Sequence, residues 1–371
     1  MKSHNIYQKL ADHLSRLGMG YPPTEALCEL LEENFTQLET EIALAIPTGV
    51  IPLSPASVEE IIKGVDVSRD ELTGVLSGMV EKGLLFTGPL ENGETGYALQ
   101  QVGFGFPQAY FWKGEDTPQA RKMAKAVAKY FNRHVVTDAY SAKLKPYRYI
   151  PVGRSMTPEL QAVYPIHMME RVIEGAEKIA LTHCPCRVSY RLLGRECPHP
   201  EEVCMKFDEM AAYVISRGIG REISKPEALE VIRISEEAGL VHFVDNTEEG
   251  IKHNCNCCGC ACWNVGNIRR RKIPRDLLMA TYFMRKTDED ECVECGACVD
   301  ICPVEALSME GGPPIVDEDW CIGCGVCAPV CPAGAICLEM RKDRTGALPE
   351  KDWTSLHQRI LKEKSNKKVL N

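Results

Sequence analysis

The 371-residue chain contains no run of about 18 apolar residues, so no segment has the length and character of a membrane-spanning helix. Its N-terminus, Met1-Lys2-Ser3-His4-Asn5, leads into no apolar stretch of the secretory type, and the expectation is a cytoplasmic protein. No Rossmann glycine fingerprint, Walker loop, radical-SAM CxxxCxxC triplet or flavin signature stands out. Gly218-Ile219-Gly220-Arg221 alone is too weak to count. Basic residues are scarce at the start of the chain. Residues 1–100 hold fifteen Asp and Glu against six Lys and Arg, so this stretch alone carries the net charge of -9. Low-complexity tracts are missing, and the one internal repeat is a cysteine pattern.

What the chain has is thiols, nineteen of them. In a sequence without a secretory signal they argue for metal ligation rather than disulfides, and for a reducing, anaerobic setting. Eight form two copies of one pattern: Cys292-x2-Cys295-x2-Cys298-x3-Cys302-Pro303 and Cys321-x2-Cys324-x2-Cys327-x3-Cys331-Pro332. Two-residue spacers let a tight loop wrap three thiolates around one face of a cubane [4Fe–4S] cluster. The fourth comes from the other copy, as in bacterial two-cluster ferredoxins. One cluster is therefore expected on Cys292, Cys295, Cys298 and Cys331, and the other on Cys321, Cys324, Cys327 and Cys302. Gly296, Gly323 and Gly325 permit the tight turns, and the prolines stop the helix that would otherwise run on. Zinc usually takes CxxC pairs or Cys/His sets rather than two such runs.

Nine more cysteines lie between residues 184 and 262. His183-Cys184-Pro185-Cys186-Arg187 is followed by Cys197 and Cys204, then by His253-Asn254-Cys255-Asn256-Cys257-Cys258-Gly259-Cys260-Ala261-Cys262-Trp263. Free cysteine also serves as a small buried hydrophobe, but not at this density beside Asn and Gly, so metal ligation is the reading. Cys184, Cys186, Cys197 and Cys204 supply the four thiols of a third cluster. Cys255, Cys257, Cys258, Cys260 and Cys262 supply a further one, or ligands shared with the third. Cys257 and Cys258 point in different directions along an extended chain, so they suit separate sites. The histidines at 183 and 253 flank the ligands and read as supporting residues. Cys28 and Cys337 show neither clustering nor spacing and read as core.

Around these fields the chain punctuates clearly. Residues 1–20 read as a helix, with Leu10, Leu14 and Leu17 in register. After Pro22-Pro23, Thr24 caps a helix carrying Leu27, Leu30, Leu31, Leu38 and Ile42 as far as Pro47. Ser57 to Lys63 and Ser68 to Gly83 read as two helices. Leu84–Phe86 and Tyr97–Leu99 read as strands around Glu91-Asn92-Gly93-Glu94. Gly103, Gly105 and Pro107 mark a crossing segment, and Pro118 to His134 a basic helix. Ser224-Lys225-Pro226-Glu227 has the spacing of a capping box, opening a helix that ends near Gly239 before a strand at 240–244. Lys362 to Lys368 reads as a solvated or frayed tail.

Helix, helix, hairpin in the N-terminal hundred residues resembles a winged helix-turn-helix of the sort found in MarR-type regulators. The Cys257-Cys258-Gly259 triplet resembles the CCG motif of heterodisulfide reductases. It lacks that motif's upstream cysteine, and the ferredoxin claims the downstream CxxC, so the match is rejected. The whole order of parts resembles multi-cluster iron–sulfur proteins of anaerobic bacteria and archaea. The resemblance implies one or two additional [4Fe–4S] clusters beside the ferredoxin pair.

The expected fold is α+β and multidomain: a winged-helix-like domain at 1–105, a mixed cysteine-rich domain at 106–286, a two-cluster ferredoxin domain at 287–345 and a tail at 346–371. Two functions fit. The first is an electron-transfer protein or redox-enzyme subunit relaying low-potential electrons to or from a partner oxidoreductase, as a homo-oligomer or within a larger complex. Arg269-Arg270-Arg271-Lys272 is then either a docking patch or a solvated face. The second is a redox-responsive regulator using the winged helix on DNA. A helix entering the major groove needs cations, yet the expected recognition helix sets Arg69 and Lys82 against Asp70, Glu71 and Glu81, beside an acidic wing. DNA is therefore not expected as a partner.

Overall fold

The computed structural model describes residues 2–101 and 105–369; Gly103 of the expected crossing segment lies outside them. Helices at Lys2–Leu14, Glu25–Asn34 and Gln37–Ala45 open the chain. The single helix expected from Thr24 to Pro47 is two. Thr36 and Glu39 form a reciprocal capping box that starts a new helix, because satisfying the free N–H groups there outweighs continuing the first. Ser57 and Ser68 cap helices Val58–Ile61 and Arg69–Glu81. Strands β1 (Leu85–Pro89) and β2 (Thr95–Leu99) then pair antiparallel, and Ala56 bridges Tyr97. The basic helix ends at Tyr130, earlier than expected, and Asn132 caps a separate helix, Arg133–Ala139.

The middle of the chain builds one antiparallel sheet. Its strands are β3 (Tyr147–Ile150), β4 (Ile179–His183), β5 (Glu202–Phe207), β6 (Arg221–Glu222), β7 (Val241–Asp245) and β8 (His253–Cys257), in the order β3-β7-β8-β5-β4-β6. Side chains alternate between faces, and here both faces are covered. Ile179, Leu181, Val203, Met205 and Phe207 pack on one side with helices Met169–Gly175 and Lys225–Glu237. Ala180, Cys204, Val241 and Phe243 face a larger core shared with the N-terminal helices. Ser224 and Glu227 form the expected capping box.

The ferredoxin-type module closes the fold. β9 (Phe283–Thr287) pairs antiparallel with β12 (Ile336–Met340), and β10 (Leu307–Ser308) with β11 (Ile315–Val316). The lysine-rich segment expected as a solvated or frayed tail is the more exposed end of a helix, Trp353–Val369, whose Trp353, Leu356 and Ile360 are buried at helical spacing. The Trp353 indole donates to the Pro52 carbonyl at 3.0 Å, tying this helix to the N-terminal module.

No described helix is long and apolar enough to cross a membrane. The basic run lies at the surface, with Arg270 and Lys272 exposed, as expected of a solvated face, and its cations are paired within the chain. Arg269 and Lys272 pair with Glu305 of the ferredoxin module at 2.8 and 3.5 Å. Arg270 donates to the Gly259 and Cys262 carbonyls, each at 3.0 Å, and Arg271 to the Phe131 carbonyl.

Candidate metal centres

Gly296, Gly323 and Gly325 all take positive φ in the ferredoxin loops. At Gly323 a Cβ would lie 2.1 Å from the Phe283 carbonyl oxygen, so only glycine fits that left-handed turn. The loops bring Cys302 into one cavity with Cys321, Cys324 and Cys327. Burial pushes the thiols of Cys302, Cys324 and Cys327 up, and their mutual charge adds to the rise. The Ala306 N–H donates to Cys302 Sγ at 3.3 Å, a hydrogen bond of the kind that tunes a ligating sulfur. Cys298 lies within electrostatic reach of Cys295 and Cys292. Cys331 packs in the same small cluster as Cys298 and Cys327. Cys295 is exposed, whereas Cys321, Cys324 and Cys327 are buried, so one end of the module faces solvent and the other the protein.

The middle cysteines divide differently from expectation. Cys184, Cys186, Cys204, Cys255, Cys257 and Cys262 line one cavity and close a ring in which each thiol interacts with two others. Cys197 is not among them. It sits with Cys258 and Cys260 instead. Strand register explains the ring: Cys204 pairs with Thr182, two residues before Cys184, while Cys255 and Cys257 share one face of β8. Cys258, one residue further on, packs in the core on the sheet's other side.

Acidity alternates around the ring. Hydrogen bonds from their neighbours hold Cys184 and Cys255 well below the usual thiol range. Cys262 is also held low, its two thiol hydrogen bonds outweighing burial. Burial pushes Cys186 and Cys257 up, and Cys204 rises chiefly through its bond to Cys184. The Trp263 and Asn264 N–H groups donate to Cys186 and Cys262 sulfurs, each at 3.3 Å. Arg187, which sequence reasoning overlooked, is buried against the ring, and two of its guanidinium nitrogens have no hydrogen-bond partner among the described residues. Phe131, Tyr140, Phe243 and Trp263 wall the adjoining cavity. Six thiols, five buried and Cys255 half-buried, with a buried cation beside them suit a metal–sulfur group, because a dense anionic set needs metal to neutralise it.

Neither histidine considered from sequence joins the thiols. His253 Nδ1 lies 3.1 Å from an Asp245 carboxylate oxygen, and the His183 ring packs on Gly114.

Residues 291–335 match the family model of the 4Fe-4S dicluster domain. The chain is an iron–sulfur protein. The match and the cysteine clusters support an electron-transfer role. No curated protein matches the chain.

Proposed function

We propose that the chain is an electron-transfer protein, or the electron-transfer subunit of an oxidoreductase, passing low-potential electrons between a partner at the exposed end of the ferredoxin module and an iron–sulfur site on the six-thiol ring. In this reading Cys292, Cys295, Cys298 and Cys331 hold one [4Fe–4S] cluster, Cys321, Cys324, Cys327 and Cys302 hold a second, and the ring holds a further one.

The observation that carries the reading is Tyr149. This fully buried side chain on β3 lies within electrostatic reach of Cys262 and Cys257 of the ring and of Cys324 of the ferredoxin. Burial, with those thiols, pushes its hydroxyl well above the ordinary range, and the hydroxyl has no hydrogen-bond partner among the described residues. Around Tyr149 the two parts interlock. The Val152 N–H donates to the Cys324 carbonyl at 2.9 Å, and Arg275 donates to the Cys321 carbonyl. At the other end Cys295 is exposed and Val293 beside it is 62% exposed, an apolar rim at which a redox partner can approach.

The domains then run 1–105, 106–286 and 287–345, with the C-terminal helix packed back on the body. The first is a winged-helix-like module used for protein docking or dimerisation, since both cations of helix Arg69–Glu81 and its cap are already paired, Arg69 with Glu59 and Lys82 with Glu39.

The test is iron and sulfide content with rapid reduction of the anaerobic full-length chain. Iron should exceed the roughly eight atoms of two cubanes, and Cys184→Ser with Cys262→Ser should return it to about eight. The ring's visible absorption should bleach after the ferredoxin's when a low-potential donor is mixed in. Iron no higher than about eight in the unmodified chain, or a ring that stays oxidised beside a reduced ferredoxin, would overturn the proposal.

A further inference from the structure

On the side of the sheet away from the ring, the structure assigns a second and chemically different metal site: one zinc ion held by Cys197, His199, Cys258 and Cys260. One ligand atom from each of the four lies within 4.8 Å of all the others. The sulfurs are separated by 3.7 Å (Cys197–Cys258), 3.1 Å (Cys197–Cys260) and 3.2 Å (Cys258–Cys260). A tetrahedral Zn²⁺ with bonds of about 2.3 Å sets its sulfurs about 3.8 Å apart. The observed separations lie at or below that spacing, so all three sulfurs are close enough to close on a single ion. A cubane [4Fe–4S] cluster is held by four thiolates, whereas this set offers three thiols and an imidazole. Three cysteines and one histidine are also an established zinc donor set.

The chain prepares this site locally. The turn at 259–261 folds Cys260 back beside Cys258, their sulfurs 3.2 Å apart, while Cys257 and Cys262 on either side belong to the ring. The Ala261 N–H donates to Cys258 Sγ at 3.4 Å, and the Cys260 thiol donates to the same sulfur at 3.2 Å. Arg270 fastens the turn through the Gly259 and Cys262 carbonyls. Cys197 and His199 come from the loop between helix Pro185–Leu192 and β5. The ion thus pins that loop to the turn at Gly259, where a Cβ would meet the Pro303 carbonyl oxygen at 2.1 Å. Pro303 follows Cys302, so the zinc fixes the segment on which the ferredoxin module rests.

This inference stands apart from the electron-transfer reading, because its readout is zinc and not iron. The full-length chain, produced with zinc and iron both supplied and reconstituted anaerobically, should retain about one zinc per chain. Cys197→Ser and His199→Ala should each lose that zinc with iron and sulfide unchanged. Independently of any variant, Co²⁺ offered to the zinc-stripped chain should give the intense visible bands of a tetrahedral cobalt–thiolate centre. Zinc absent from the unmodified chain, loss of iron in either variant, or octahedral cobalt spectra would each overturn the assignment.

Discussion

Exchanging Arg187 for Met should move the empty and loaded forms of the ring in opposite directions. Arg187 follows Cys186 on helix Pro185–Leu192 and is 1% exposed. One nitrogen donates to the Asn256 carbonyl. The charges around it are thiols, those of Cys184, Cys204, Cys258 and Cys257; burial alone would lower its pKa, yet together they hold it above the ordinary value. With neutral thiols the guanidinium is a buried charge lacking a counter-charge. Replacing buried ionic groups by apolar ones of similar volume stabilises by about 1–4 kcal/mol, whereas removing one partner of a buried pair costs about 3–5 kcal/mol. The metal-free chain should therefore gain stability. The loaded chain, whose thiolates need that cation, should lose it. The two effects differ by at least about 4 kcal/mol, which at 1.4 kcal/mol per decade is roughly a thousandfold in metal retention. Denaturant midpoints of both forms, with iron loss to a chelator, measure this. Midpoints shifting in the same direction, with unchanged iron retention, would refute the reasoning and reduce Arg187 to a packing residue.

Gly325→Ala should destabilise the loaded protein by about 1–3 kcal/mol, since φ is +74° there and a Cβ would lie 2.0 Å from Ser155 Oγ; adding Ser155→Gly should recover the steric part but not the conformational part in denaturant titrations. His357 is pushed down to about 4 by burial, so protons bind the unfolded chain first. Stability should fall by about 1.4 kcal/mol per pH unit from pH 6.5 towards 4, and His357→Leu should flatten the dependence of the denaturant midpoint on pH. The full-length chain should show no salt-sensitive binding to random duplex DNA, and binding at about micromolar concentration that weakens with salt would overturn the charge argument for the N-terminal module. Trp353→Ala should cost about 3–5 kcal/mol in a denaturation midpoint, because the ring is 7% exposed and anchors the last helix.

The ferredoxin module was legible in the sequence because its ligands are set by spacers of two and three residues, and a wrapping loop is a local object. The capping box at Ser224 was legible for the same reason, with donor and acceptor three residues apart. The opposite facing of Cys257 and Cys258 also followed from strand geometry alone. The partition of the nine middle cysteines did not follow, since it depends on which strands pair and in what register. Cys204 and Cys255 meet only because β5 pairs with β8 in the register that sets Met205 opposite Asn254, and Cys197 leaves its sequence neighbours because its loop folds to the other face. His199 stood two residues from Cys197 with nothing local to mark it as a ligand. The basic run at 269–272 and the lysine-rich end face solvent in part, as composition suggests, but which carbonyls and carboxylates pair with the first, and that an apolar stripe at 353–360 docks the helix carrying the second, depend on residues distant in sequence. Local chemistry is written in spacing; the meeting of distant residues is decided by the packing that closes the sheet.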